Sequence, residues 1–336
     1  MKISASIYAN NRLSDLSSLI RELDAHDIDM IHVDCNDSDT VFEDIARIRA
    51  VSNTPIDLHI ISKEPEKYFT QIEKSHIEYV SFQYEKLQRL PMPPEISATR
   101  FGLSITPYTS VEVFEQVKKD YEFLMLMSTV PGKSGGTFNS KSFQDILTFK
   151  HLFPNKKIHV DGGINDQIAY ILRILGVNAV VSGSYLMNHD SLSAGLLSFH
   201  RSPDKNHHAY QIHEFMMPLR YLPVLESQDL DFKKVVQVIE DYKYGFVLIT
   251  DPAGKLEGVI TNADVRRGLL QHFNNLNEVN PFNLVNRNPV TIQEDNTVAG
   301  MVRLLNELNF IVLFLPVIDK YNMLCGAVLL NNLTRF

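Results

Sequence analysis

The sequence predicts an α/β protein, a (β/α)₈ barrel over the first two-thirds of the chain followed by a smaller α+β module. Three observations carry this expectation: a sustained rhythm of short apolar runs and amphipathic segments, polar residues gathered at the ends of those runs, and a C-terminal repeat spaced by 68 residues. Ile3 to Ile7 precedes an amphipathic stretch from Leu13 to Leu23, Met30 to Val33 precedes Val41 to Ile48, and Ile56 to Ile61 precedes Pro65 to Ile72. Runs too short for a helix, each followed by a segment of helical period, read as strand then helix. The rhythm continues through Tyr79 to Phe82, Arg100 to Ile105, Phe123 to Met127, Lys157 to Val160 and Ala179 to Ser182. That makes eight candidate strands, and eight parallel strands with crossovers close into a barrel.

An open doubly wound sheet shares this rhythm, so the polar residues have to separate the two. Barrel enzymes place their chemistry at the C-terminal ends of several strands, whereas an open sheet concentrates ligands at one switch point. His32, Asp34, His59 and Asp161 fall at the ends of three different candidate strands, which favours the barrel.

The barrel is assigned to residues 1–200. Polar residues from 201 to 213 read as a linker, in which His207 and His208 are solvated surface. Residues 214–336 form the second module, in two units of approximately 214–275 and 280–336. The repeat is visible when Asp251 to Gly258 is set against Asp319 to Gly326. Each unit is expected to contain a helix (Phe232 to Glu240; Val298 to Leu308), an apolar strand (Phe246 to Ile249; Ile311 to Leu315), a turn, a second strand and the start of a helix. Neither half buries an apolar face well alone, so the two are expected to pack as one pseudo-symmetric module.

At 336 residues and 44% apolar content the chain can bury substantial cores. A net charge of -8 gives no electrostatic reason to expect nucleic acid or an anionic membrane as partner. Two cysteines, Cys35 and Cys325, make no disulfide framework, and no apolar run reaches membrane-spanning length, so a soluble cytoplasmic protein is expected.

His32-Val33-Asp34 alternates along a strand, which puts both polar side chains on one face. With His59 and Asp161 they form a donor set of two imidazoles and two carboxylates, suited to one divalent ion such as Zn, Fe, Mn or Co. Glycine clusters at Pro131 to Gly136, Gly162-Gly163 and Gly183-Ser184 follow successive strands, where backbone N–H groups close on a phosphate.

Lys2 to Ile7, Ile31 to Asp34, Leu58-His59, Met127 to Gly136, Val160 to Ile164 and Val181 to Ser184 resemble motifs of the ribulose-phosphate 3-epimerase family. The resemblance implies that His32, Asp34, His59 and Asp161 bind the metal, that Asp34 and Asp161 are the catalytic acid–base pair, and that Ser6 contacts substrate. With the phosphate loops and the cap residue, the implied substrate site is Ser6, Met127, Gly135, Gly136, Gly162, Gly163, Gly183 and Ser184. The implied reaction inverts C3 of a ketose phosphate through an enediolate. Isomerisation or another enediolate reaction, or a non-catalytic metabolite-binding role, are the alternatives.

The chain departs from the family pattern at Asn36-Asp37-Ser38, at Ile61 where a methionine is usual, and at Lys133 and Ser134. The segment after Asp34 is also shorter than the family's. These changes point to a more open site or a larger ketose phosphate.

The tail resembles a tandem pair of cystathionine β-synthase (CBS) domains. Gly258 to Asp264 matches a motif that often binds adenine nucleotides, which implies phosphate and ribose contacts from Thr261 and Asp264. Leu329 and Asn332 hold the equivalent positions in the second unit, so that half reads as degenerate. The run from Thr261 to Arg267 also resembles tails attached to enzymes of bacterial polysaccharide precursor synthesis. Homo-oligomerisation through the tail is a further expectation.

Overall fold

A computed structural model describes residues 1–9, 15–129, 135–189, 191–201 and 210–334. The chain divides into two compact units, Met1–Pro203 and Asp204–Phe336.

In the first unit, β1 (Lys2–Ser6), β2 (Met30–Cys35), β3 (Ile56–Ile60), β4 (Tyr79–Gln83), β5 (Arg100–Ile105), β6 (Phe123–Met127), β7 (Lys157–Asp161) and β8 (Ala179–Ser182) pair in chain order. Every pairing is parallel, and β1 returns to β8 through Lys2↔Ala179 to Ala5↔Ser182, closing the barrel. Alternation along each strand divides two cores. Ile31, Val33, Leu58, Ile60, Leu124 and Val160 are among the buried residues facing outward under the crossovers. Met30, Tyr79, Phe123, Met125, Met127, Ala179 and Val181 fill the interior.

Gly102 shows why one interior position carries no side chain: a Cβ there would lie 2.5 Å from the Phe123 ring. That ring stacks on His159 at 4.3 Å and 23°. Both large residues fit because β5 leaves the space.

The crossover helices are set by local chemistry. Asp15 caps Leu16–Ala25 by accepting from the Ser18 N–H, and Asn165 caps Asp166–Ile174 by accepting from the Ile168 N–H. Two connections depart from the expected strand-helix alternation. After β4 only a 3₁₀ turn, Tyr84–Lys86, forms, because Pro91, Pro93 and Pro94 supply no N–H for a helix. After β5 the crossover is a 3₁₀ segment, Val111–Gln116.

The second unit holds β9 (Met217–Pro218), β10 (Val224–Glu226), β11 (Phe246–Thr250), β12 (Leu256–Thr261), β13 (Ile292–Gln293), β14 (Phe314–Ile318) and β15 (Leu324–Leu329). They make two sheets, β10-β11-β12 and β13-β14-β15-β9. The repeat is reproduced residue by residue. Phe246↔Thr261 through Thr250↔Leu256 becomes Phe314↔Leu329 through Ile318↔Leu324, with the register shift at the same place.

The hairpin turns also correspond. Gly254 and Asn322 occupy the same left-handed position, and Asp251 and Asp319 accept from the N–H groups of Lys255 and Met323. Each tip bonds the other half, Leu256 N–H to the Asn322 carbonyl and Leu324 N–H to that of Gly254, both at 3.0 Å.

Each edge is closed by a segment that lies before the other half in sequence. Met217 and Pro218 pair with β15, and Asn286 bridges to Val259 on β12. Leu222, Phe246, Leu248, Val259, Ile318, Leu324 and Ala327 then form one apolar core from both halves, with Phe246 stacked on Phe314 at 3.7 Å. Gln211 bridges to Thr297 and Ile212 is fully buried, so the chain joins this unit by residue 211.

The strand expected at Ile311 to Leu315 starts three residues later. Pro316 argues against a strand running through it, yet β13 pairs only with Val317 and Ile318, so the missing N–H falls outside the parallel ladder. Phe310, Ile311 and Leu313 are consequently exposed.

Candidate active site

The strand ends bring His32, Asp34, His59 and Asp161 together at the C-terminal mouth of the barrel. His32 and Asp34 share the inner face of β2, and Asp34 is in register with His59 on β3. The Asp34 Oδ1 atom lies 3.3 Å from His32 Nε2 and 3.1 Å from His59 Nδ1. Asp161, at the end of β7, places Oδ2 4.0 Å from His32 Nε2. Both imidazoles are fully buried, while the carboxylates are 18% and 17% exposed and reach the cleft.

Burial raises the Asp34 carboxyl, but the His32 charge and hydrogen bonds from both imidazoles outweigh it and hold the group well below the usual range. Asp161 goes the other way, pushed up to about 6 by burial and by the Asp34 charge, against the pull of His32. His32 is raised well above its ordinary value because Asp57 and Asp34 overcome the cost of burial. The field that draws a proton to this ring also favours a cation.

The donor chemistry fits a divalent ion. Ligand atoms of His32, Asp34 and His59 lie within 4.8 Å of one another, and Asp161 completes an N₂O₂ set. Both rings also have partners that turn a lone pair inward. The His32 Nδ1 atom faces Asp57 Oδ2 at 2.9 Å, and His59 Nε2 faces Gln83 Oε1 at 2.8 Å. Asp57 and Gln83 are absent from the sequence-based site. The signal for Asp57 was available, since Asp57-Leu58-His59 alternates as His32-Val33-Asp34 does. Nothing local distinguishes Gln83 on β4.

A cleft of about 850 Å³ opens over this cluster. Ser6, Met127, Gly135, Gly136, Gly162, Gly163, Gly183 and Ser184 all line it, with Asp34 and Asp161 on its floor. Pro131 to Ser134 of the first glycine loop lie outside the described residues. Gly162 and Gly163 have φ values of 105° and 66°, and a Cβ on Gly163 would sit 2.9 Å from Phe138 Cα and 3.0 Å from the Gly136 carbonyl oxygen. The two loops therefore interlock through backbone. Ser128 reinforces this by donating from N–H to the Asp161 carbonyl at 2.7 Å and from Oγ to that of Gly162. Tyr8, Asn36, Ser38, Thr40 and Asp44 add a polar wall that the sequence-based site does not include.

The family model for the ribulose-phosphate 3 epimerase family matches residues 2–187, the closed barrel and its cleft. The chain belongs to this family. It is an epimerase-like isomerase, and its second unit carries a CBS domain, matched over residues 282–336. Ribulose-phosphate 3-epimerase of Bacillus subtilis (strain 168) is 26% identical over 198 residues, covering 55% of this chain and 91% of that protein. The enzyme of Aquifex aeolicus (strain VF5) is 28% identical over 181 residues, covering 49% and 81%. Among solved structures, the CBS-pair protein CBSX2 from Arabidopsis thaliana is 21% identical, with a TM-score of 0.32 over 38% of this chain and 92% of that one. CBSX2 in complex with AMP gives 21%, 0.32, 38% and 95%.

In the tail, Thr261 and Asp264 bond to each other. Thr261 donates from N–H (2.8 Å) and Oγ1 (2.5 Å) to Asp264 Oδ2 as the capping box of Asn262–Gln271, and Arg267 pairs with the other carboxylate oxygen. At the corresponding place in the second half, residues Asn331–Thr334 form a 3₁₀ turn.

Proposed function

We propose that the barrel inverts C3 of a ketose phosphate, a pentulose 5-phosphate or larger, with Asp34 and Asp161 as the proton-transferring pair. The carrying observation is the convergence of two carboxylates from β2 and β7 on one cleft, above two buried imidazoles with fixed orientations. Inversion needs a proton removed from one face of a carbon and returned to the other. Two carboxylates from separate strands can flank the substrate in that way.

His32, Asp34, His59 and Asp161 would hold one divalent ion. Bound there, the ion supplies Lewis-acid stabilisation of negative charge on substrate oxygens. Backbone N–H groups of the interlocked loops at Gly135-Gly136 and Gly162-Gly163, with Gly183 and Ser184, would take the phosphate and fix the distance to the carboxylates. Ser6 and Met127 would contact the sugar. The polar wall of Tyr8, Asn36, Ser38, Thr40 and Asp44 favours a substrate with hydroxyl groups beyond a pentulose. The CBS tail would sense a nucleotide through Thr261 and Asp264, or join two copies. The pathway we assign is polysaccharide precursor synthesis in the cytoplasm.

Proton NMR in D₂O with metal-reconstituted protein and a panel of pentulose and hexulose phosphates tests this reading. Deuterium entry at C3 with epimer formation, lost in Asp34→Asn and Asp161→Asn, is the expected result. Exchange without an epimer would identify another enediolate reaction, and no exchange on any member would count against catalysis on this class.

A further inference from the structure

The two imidazoles of the candidate metal centre are supported by different chemistry. Asp57 lies two residues before His59 on β3, hence on the same inner face but one layer deeper, and it is completely buried. Its Oδ2 atom faces His32 Nδ1 at 2.9 Å and accepts from Ser4 Oγ at 3.0 Å. The Oδ1 atom has no protein donor among the described residues. All of its directional bonding therefore falls on His32 and on the serine beside it. Asp57 does not line the cleft, so it does not reach a substrate there.

His59 is held the opposite way round, with Nε2 toward Gln83 and Nδ1 toward Asp34. Gln83 cannot turn its amide without loss. Its Nε2 donates to Glu85 Oε2 at 2.5 Å, and its Oε1 also accepts from Ser104 Oγ at 3.1 Å. Glu85 is fixed in turn by the Thr106 N–H at 2.8 Å and the Thr109 hydroxyl at 2.5 Å. One ring thus has a buried carboxylate behind it, and the other a neutral amide.

We infer that Asp57 is a positioning residue that makes His32 the anchoring imidazole of the metal centre. It holds the proton on Nδ1, directs the Nε2 lone pair to the mouth, and supplies negative charge that strengthens the ring as a donor. A carboxylate behind a metal-bound histidine typically accounts for about 10- to 100-fold in affinity. The inference rests on the metal-centre reading above, and its test separates the two.

Zn²⁺ and Co²⁺ affinities would be measured on the full chain by competition with a chromophoric chelator, alongside the melting temperature of each metal-free variant. Asp57→Asn is expected to weaken both ions by about 10- to 100-fold, and Ser4→Ala by only a few-fold, because Asp57 keeps its bond to His32. Wild-type protein that takes up neither ion overturns the metal-centre reading and this inference together. Wild-type uptake with Asp57→Asn within threefold overturns this inference alone, as does an Asp57→Asn that melts lower but binds equally well. Nitrogen-15 NMR of the zinc-loaded wild type needs no variant: His32 is expected to carry its proton on Nδ1 and His59 on Nε2. Two rings of the same tautomer would overturn it.

Discussion

Gly163→Ala tests the interlocked loops directly. A non-glycine residue at φ 66° costs about 1–2 kcal/mol in the left-handed region. The new Cβ would meet the Phe138 backbone nitrogen, with Phe138 Cα at 2.9 Å and the Gly136 carbonyl oxygen at 3.0 Å. Carbon atoms pack best at roughly 3.5–4.0 Å, so the two loops must part by about 1 Å. These are backbone atoms, and no side chain can rotate out of the way. A displacement of about 1 Å between phosphate anchor and carboxylates costs on the order of 10²-fold in rate. The strain alone lowers the melting temperature of a unit this size by about 2–8 °C, which leaves the barrel folded. Gly135→Ala is the comparison, because its φ of 78° carries the same strain but its Cβ would meet nothing within 4 Å among the described residues. The assay is deuterium entry at C3, followed by NMR as kcat/KM, with melting curves on the same samples. The expected order is wild type, Gly135→Ala, then Gly163→Ala lower by about 10²-fold. Gly163→Ala within threefold of wild type would refute the argument that these loops fix the substrate.

Chelator treatment should abolish exchange, and adding back one equivalent of Zn²⁺, Mn²⁺, Fe²⁺ or Co²⁺ should restore it; at a hundred times its Kd the ion also stabilises the folded state by about 2.7 kcal/mol, visible as a melting shift. Gly258→Ala and Gly326→Ala occupy equivalent places under the exchanged edge segments, where a Cβ would lie 2.5 Å from Val285 Cγ1 and 2.5 Å from the Met217 carbonyl oxygen. Each should destabilise the second unit by about 1–3 kcal/mol in denaturant melts of the full chain and leave the first unit's own transition in place. Phe246→Ala removes a fully buried ring stacked on Phe314 and should cost about 3–5 kcal/mol in the same transition.

Barrel topology was legible because each strand is short, apolar and followed by a segment of different period, and because the polar residues stood at strand ends. The residues at the barrel mouth were legible for the same reason: period two puts His32 and Asp34 on one face whatever the rest of the chain does. The supporting shell was harder to read because its bonds cross between strands and layers. Ser4 and Asp57 are 53 residues apart and His59 and Gln83 are 24 apart, and only the barrel register brings them together. The two connections without α-helices show the opposite failure. Pro91, Pro93 and Pro94 are plain in the sequence, but the strand rhythm on either side invites a helix between.

One motif in the tail admits two physical readings. Thr261 is followed three residues later by Asp264, which is the spacing of a capping box as well as that of the nucleotide-binding pattern. In the structure both carboxylate oxygens of Asp264 are already engaged, by Thr261 and by Arg267. The second half has Leu329, which carries no side-chain oxygen, at the position of Thr261, so the reciprocal bonds of a capping box have no counterpart there. A Thr261→Ala variant separates the two uses. Loss of the cap should cost about 1 kcal/mol in the second unit's melt. Loss of a ligand contact should in addition remove the thermal shift produced by AMP, ADP or ATP. A wild-type tail that shows no shift with any of them, and a variant that is merely less stable, would leave Thr261 and Asp264 as the start of a helix and assign the module to holding chains together.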